Sequence, residues 1–287
     1  MKKIILLLFG PLAEKLQNQF SFLKYYLSLA DMKILLRTYL AIVCAITFVV
    51  FFSSFVFMYL FFTFLEYSFI VKIVFSIAIA LLFAIIAFVA MISYPISKAQ
   101  SRKRNIETNL PFAIIHMSAI ASSGVPPSTM FRLLTDFDEY GEIAREAKKI
   151  VQNIDVFGLD ITTAIREVAK KTPSKNFKDF LEGVATTIDT GGDLHAFLLK
   201  ESEKAMFEYK IRREKFLQTL STYADIYTAV LIAAPLFLVA ILSVMSMIEG
   251  RLWGLEIKDI MWLGIFVGIP ALNTLFLAFI HFTQPEL

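Results

Sequence analysis

The sequence predicts an all-α polytopic membrane protein, with four transmembrane helices in two hairpins and a cytoplasmic six-helix bundle between them. Three observations lead there. The chain has 287 residues, is 57% apolar and has a mean hydropathy of +0.66, too apolar for a water-soluble globule. Four apolar runs, Tyr39–Leu65, Phe69–Ile92, Ile226–Ile248 and Ile260–Phe282, are each long enough to cross a hydrocarbon core of ~30 Å at ~1.5 Å per residue. Between the second and third runs lies Pro95–Asp225, which is charged, patterned for helices and free of strand signals.

Residues 1–38 form the first element. Leu12, Leu16, Phe20, Leu23, Leu27, Ala30 and Ile34 recur every three or four positions, the apolar face of an amphipathic helix. Such a helix lies along the membrane interface or packs on the central domain; a dedicated partner-binding helix is the alternative. Met1–Phe9 starts like a signal peptide, but its apolar core is short, Gly10-Pro11 interrupts it and no small-residue cleavage pattern follows, so it is read as retained. Residues 39–92 make the first transmembrane hairpin, with only Glu66, Tyr67 and Ser68 between its spans.

Residues 93–225 make the soluble domain. Asn109 is placed to cap its first helix, with Leu110 and Pro111 in the first turn and Gly124 just past the end. Pro126-Pro127 opens a second helix, running to about Phe137. Ile143, Ala147, Ile150, Val151, Ile154 and Phe157 give the third its inward face, and Gly158 stops it. Asp160 caps a short fourth helix, and Thr172 or Ser174 a fifth, which Gly191-Gly192 ends; Asp193 caps the sixth. No Gly or Pro intervenes from Asp193 to Pro235, so the sixth helix is expected to run on into the third span, unless it breaks near Ser221-Thr222. The second hairpin occupies residues 226–282, with a short polar loop at Glu249–Asp259, and residues 283–287 form a tail. Pro235 and Pro270 are candidate kinks, Gly264 and Gly268 a close-packing G-x-x-x-G pair, and Asn273 the clearest polar residue deep in a span.

Gly124, Gly158 and Gly192 fall at equal intervals of 34 residues, the period of tetratricopeptide arrays. The aromatic and small-residue signature of that repeat is absent, and two structural units in a compact bundle fit better. Charge sets the orientation. Lys2, Lys3, Lys15, Lys24, Lys33 and Arg37 precede the first span, whereas the two short loops hold only Arg251 and Lys258, with Lys72 near one end of the second span. By the positive-inside rule the N-terminus, central domain and C-terminus are cytoplasmic, in the cell membrane.

Several function classes drop out. Pro95–Asp225 carries 19 basic and 18 acidic residues, so no basic face for nucleic acid exists. The single cysteine, Cys44, permits neither an intrachain disulfide nor a CxxC site. There is no phosphate-binding G-x-x-x-x-G-K-[ST] loop, and His116, His195 and His281 are scattered without metal-ligand spacing, His116 reading as a satisfied core residue. Ser122-Ser123-Gly124 is not a nucleophile elbow, and Asp136, Asp138 and Glu139 suit turn and cap roles. No cofactor, metal or catalytic residue is expected. A rigid helical domain held at one membrane face without chemistry of its own reads as a docking platform. Its candidate partner contacts are the juxtamembrane basic groups Lys98, Arg102, Lys103 and Arg104, and Arg212, Arg213 and Lys215, although topology and anionic lipid alone account for much of that charge. A permease or export channel component energised by a separate ATPase is the alternative, disfavoured by the scarcity of ionisable residues in the spans.

The runs Leu110-Pro111-Phe112 through Ala121-Ser122-Ser123-Gly124-Val125-Pro126 and Phe157-Gly158-Leu159-Asp160-Ile161-Thr162-Thr163-Ala164 resemble the type II secretion F-protein domain. So do Thr172-Pro173-Ser174, Asp179-Phe180-Leu181-Glu182-Gly183 and Thr190-Gly191-Gly192-Asp193-Leu194. The similarity covers roughly 109–242 and has the flavour of archaeal members, the platform proteins of archaella, type IV pili and tight-adherence pili. It implies a non-enzymatic platform at the base of a filament. Such a platform binds a hexameric cytoplasmic secretion ATPase and helps move pilin-like subunits out of the bilayer. Gly124, Gly158, Gly191 and Gly192 map onto turns of the motif, so their implied role is structural. Many members carry two copies of the domain and this chain carries one, leaving open a single-domain type, a homo-oligomer or paired homologue, or a truncated chain.

Overall fold

The computed structural model describes residues 2–65, 68–248, 251–252 and 255–283. Met1, Glu66, Tyr67, Glu249, Gly250, Trp253, Gly254 and the tail from Gln284 onward lie outside the described residues, and with them the turn of the first hairpin. The chain divides into two compact units, Met1–Glu203 and Lys204–Leu287. Four helices are long and apolar enough to cross a membrane: Leu36–Phe64, Phe69–Ala121, Leu194–Ile248 and Ile257–His281. The chain is a multi-pass, all-α membrane protein.

In the first unit, α1 (Lys2–Gln19) and α2 (Phe22–Leu29) precede the long helices α3 (Leu36–Phe64) and α4 (Phe69–Ala121), which pack together. The amphipathic N-terminal face finds its partner on the membrane hairpin. Ala13, Leu23 and Leu27 are buried with Tyr39, Leu40 and Val43, and Phe88, Met91 and Ile92 of α4 close over them. The Phe9 ring lies 5.9 Å from that of Phe48, and Tyr39 donates its hydroxyl to the Met91 carbonyl at 2.5 Å.

α4 departs from the sequence expectation. Its 53 residues, roughly 80 Å of helix, join the second span to what was read as the first helix of the soluble domain. Asn109 is therefore an interior residue and caps nothing, and Pro95 and Pro111 both sit inside the helix. Proline forfeits one hydrogen bond and crowds the carbonyl four residues back. Ala99, Ile106, Leu110, Ala113, Ile114 and Met117 stay buried at helical spacing on both sides of Pro111, so packing holds the helix through it.

Beyond α4 come α5 (Pro127–Leu134), a 3₁₀ turn at Asp138–Tyr140, α6 (Glu142–Asp155), α7 (Ile161–Ala169), α8 (Lys175–Asp189) and the start of α9 (Leu194–Tyr227). Helices of 8, 14, 9 and 15 residues alternate short and long, which suits two helix pairs better than an array of equal repeats. Each pair buries one face: Met130, Phe131, Leu134, Ile143 and Ile150 in the first, Ile165, Val168, Phe180, Leu181 and Val184 in the second. Caps fall where short polar side chains allow. Asp160 accepts from the Thr162 N–H at 3.0 Å, Ser174 rather than Thr172 accepts from Phe177 at 3.3 Å, and Asp193 accepts from Ala196 at 3.0 Å. α5 stops three residues short of Phe137, and α6 ends at Asp155, leaving Phe157 outside the helix and off its buried face.

In the second unit α9 continues through a π-helical stretch, Thr228–Ala233, into α10 (Ala234–Ile248). A two-residue antiparallel ladder follows, β1 (Arg251–Leu252) on β2 (Leu255–Glu256), within the short polar loop expected at Glu249–Asp259. α11 (Ile257–Leu263), a second π stretch at Gly264–Gly268 and α12 (Ile269–Thr283) complete the chain. Each π stretch ends two residues before a proline, Pro235 or Pro270. The extra residue per turn makes room for a ring that would otherwise meet the carbonyl of the preceding turn. A side chain added at Gly264 would meet nothing within 4 Å, so Gly264 is not used for packing within the chain.

Candidate functional site

The densest polar constellation lies where α2 ends, α4 passes and α6 begins, all within the first unit. Arg102 stands on the buried stripe of α4, one turn from Ala99 and from Ile106, and is 6% exposed. Its Nε donates to Glu142 Oε2 at 2.7 Å, and its terminal nitrogens donate to a Glu146 carboxylate oxygen and to the Leu29 carbonyl. That carbonyl belongs to the last turn of α2, where carbonyls lack intrahelical partners and the helix dipole is negative, so a guanidinium satisfies both. One turn along α6, Lys149 Nζ reaches Asp31 Oδ2 at 2.8 Å and Glu146 Oε1 at 3.1 Å, while Arg145 pairs with Glu142. Three cations and three carboxylates thus tie the N-terminal segment to α4 and α6.

Local backbone features set this geometry. The Glu142 N–H, unpaired at the start of α6, donates to Asn105 Oδ1 at 2.8 Å. Asn105 comes that close because residue 141 is glycine: a Cβ there would sit 2.6 Å from Asn105 Oδ1, and its φ is +54°. Glu146 is 1% exposed, and burial pushes its carboxyl above the usual range, with Lys149 and Arg102 opposing but not cancelling that push. At Asp31 burial also pushes upward, but the Lys149 hydrogen bond and charge, with Arg102 and Lys33 behind them, win and hold it below its ordinary value.

These findings redistribute the expected contact residues. Arg102 is a correction: it is an internal strut with its donors committed to Glu142, Glu146 and Leu29, and it presents no charge to a partner. Lys98 and Arg104 are exposed, and Lys103 is half-buried with Glu107 at 4.0 Å. Arg212, Arg213 and Lys215 are exposed on α9, with Arg213 Nη1 donating to the Tyr209 hydroxyl at 3.3 Å; they belong to the second unit and the first group to the first. Gly124, Gly158 and Gly191 adopt φ of +70°, +66° and +68° at helix ends. Gly192 instead donates its N–H to the Thr187 carbonyl at 2.9 Å, closing the α8 turn. His116 is half-buried, with Nδ1 3.1 Å from the Tyr140 hydroxyl and its ring edge-on to Phe137 at 4.3 Å. Asn273 donates to the Ile269 carbonyl at 3.0 Å and accepts from the Tyr227 hydroxyl at 3.3 Å, a polar clasp between α9 and α12.

Sequence reading missed Gly141, Asn105 and the carboxylates Glu142 and Glu146. A signal existed: Arg102 falls on an apolar stripe, where an unpaired cation is untenable, and Glu142 and Glu146 lie one helical turn apart. Among the described residues no group of three His, Cys, Asp or Glu is arranged to hold a metal ion. The constellation is acid–base paired throughout, which suits it to fixing elements rather than to transferring protons.

Residues 113–242 match the family described as type II secretion system (T2SS), protein F. The flagella accessory protein J of Methanocaldococcus jannaschii is 30% identical over 161 residues, 56% of this chain and 29% of that protein. Its namesake in Methanococcus voltae is 27% identical over 147 residues, 51% of this chain and 26% of that protein. An uncharacterised protein of M. jannaschii is 25% identical over 196 residues, 67% of this chain and 33% of that protein. The chain therefore spans about a third or less of these relatives. No solved structure matches.

Proposed function

We propose, from the match of residues 113–242 to the type II secretion protein F family, that this chain is a non-enzymatic platform for assembling a filament of the archaellum or type IV pilus kind. It docks a cytoplasmic secretion ATPase and passes the resulting displacement to pilin-like subunits in the bilayer. One observation carries the reading. The soluble helices are bounded by α4 and α9, each part of a helical run long and apolar enough to cross a membrane, Phe69–Ala121 as one α-helix and Leu194–Ile248 through the π stretch Thr228–Ala233. A load applied to the soluble domain along either helix is borne by backbone hydrogen bonds rather than by a flexible linker. The names of the relatives from M. jannaschii and M. voltae support a filament role, and the excess of Lys and Arg beside the soluble domain supports a cytoplasmic placement for it.

With Arg102 withdrawn, the acid-facing contacts are Lys98, Lys103 and Arg104 on α4 and Arg212, Arg213 and Lys215 on α9. Charge reversal of Arg212, Arg213 and Lys215 together lowers capture of the purified ATPase by the full-length chain at least tenfold, while membrane insertion is unchanged. Undiminished capture removes this surface from the ATPase contact. Absence of capture by the unaltered chain removes the platform reading itself.

A further inference from the structure

α4 carries a built-in weak point between its membrane part and its soluble part. In an unbroken α-helix the Met91 carbonyl accepts from the N–H of residue 95, but residue 95 is proline, which has no N–H. A carbonyl orphaned inside a packed helix needs another donor. It has one from a different helix, because the Tyr39 hydroxyl of α3 donates to Met91 O at 2.5 Å. The bond that proline removes from α4 is thus replaced by a side chain 52 positions earlier.

α2 lies across the same place. On the hairpin side of Pro95, Leu23 and Leu27 are buried in one cluster with Tyr39, and Met91 and Ile92 pack against it. On the other side, Leu29 and Ala30 are buried with Ala99. Beyond Ala99, Arg102 donates to the Leu29 carbonyl, and Lys149 pairs with Asp31 at 2.8 Å. α2 therefore splints the turn of α4 that lacks its own bond, and is fastened on both sides of it. The outer fastening holds a strained residue: among the described residues Asp31 is the only one other than glycine with a positive φ, +54°. Such a conformation persists where its surroundings over-determine it, and relaxes when they let go.

We infer that Pro95 is a joint, and that Tyr39 and α2 form the catch that holds it straight. Braced, the soluble helices α5–α8 and the first hairpin move together on α4. Released, α2 lifts from Ala99, Asp31 relaxes and the Met91 carbonyl loses its donor. The soluble part of α4 then pivots at Pro95, where one hydrogen bond fewer resists bending. Tyr39 is a positioning residue in this device, acting on α4 through a single backbone oxygen. The joint goes beyond the platform reading, since it decides when α4 transmits a displacement and when it yields.

The test reads the catch by thiol exposure in the full-length protein reconstituted in vesicles. With Cys44, the chain's single cysteine, changed to Ala, Ala99→Cys puts a thiol beneath Leu29 and Ala30. N-ethylmaleimide reaches it only when α2 lifts, so the labelling rate tracks the released population. Tyr39→Phe removes one oxygen and is expected to raise that rate about tenfold, the ~1.4 kcal/mol scale of leaving a buried acceptor unpaired. Pro95→Ala restores the N–H and is expected to lower the rate below the parent's. In the Pro95→Ala background Tyr39→Phe is expected to change nothing, because Met91 then has its donor within α4. A merely structural role for the Tyr39 side chain gives the same increase in both backgrounds. Val184→Cys, on the buried face of α8, reports global opening and is expected to stay unlabelled throughout. An equal effect of Tyr39→Phe with and without Pro95→Ala, no effect in either, or labelling of Val184→Cys in step with Ala99→Cys overturns the inference. None of these readouts needs an ATPase or a filament, so the joint can fail while the platform reading stands, and failed ATPase capture leaves the joint untouched.

Discussion

Arg102 shows how one residue's meaning depends on its neighbours along two helices. In sequence it is one of four cations in a row of seven residues; in the fold it is the only one of the four that is buried. Removing one partner of a buried pair strands the other, and the usual penalty is about 3–5 kcal/mol. Arg102→Ala is therefore expected to lower the stability of the full-length protein by that order, read as a large fall in thermal midpoint. Arg102→Ala combined with Glu146→Ala recovers part of the loss, which a double-mutant cycle measures as coupling. The pH dependence follows from Glu146. Its folded carboxyl is raised by burial, so between the unfolded value and the raised one the folded state holds more protons, and this group's contribution to stability grows as pH falls. In Arg102→Ala that gain is larger, because protonation erases a charge left without its guanidinium. The deficit against the parent protein accordingly narrows as pH drops through the weakly acidic range. Asp31, held low, acts in the opposite sense, and its contribution is lost only as pH falls below the ordinary carboxylate value. A deficit constant with pH would mean that Glu146 is not the stranded charge.

Among the elements, the helix ends were more legible than the helix continuities. Gly158 reaches φ +66° with open space around it, so Gly158→Ala isolates the backbone term and should cost about 1–2 kcal/mol, while Gly158→Asn costs less because Asn tolerates that region. Equal losses in denaturation of the two variants would show that the turn relaxes. Glycine turns and the Asp160, Ser174 and Asp193 caps were readable because their chemistry is local, a side chain and an N–H two or three residues away. α4 is longer than the sequence suggests because the cues at Asn109 and Pro111 are local too, and lose to a buried stripe whose partners on α6 and α8 are far off in sequence. The same limit hid Gly141, whose reason is Asn105, 36 positions earlier. Phe157 is the opposite case: the period carries the apolar face past Asp155, where α6 ends ahead of the turn that Gly158 makes.

For the whole molecule, the question is whether α9 is a shaft or merely a tether. Leu194–Ile248 is one helical run of 55 residues, interrupted only in pitch by the π stretch before Pro235. A shaft needs every turn, because a break anywhere lets one end move without the other; a tether needs only covalent continuity. Ile211→Pro tests the difference. It removes an N–H and sets a ring against the Phe207 carbonyl, about 3 kcal/mol in a helix interior, at an exposed position where no core packing is lost. If the platform works through a rigid α9, this variant inserts in the membrane and captures the ATPase as the parent does, yet filament assembly in cells falls steeply. Ile211→Ala, which keeps the helix, assembles normally and controls for the side chain. Normal assembly by Ile211→Pro would make α9 a tether and shift the mechanical link to α4. There two prolines are already held inside the helix by the packing of the first unit, so force and fold would share one set of contacts.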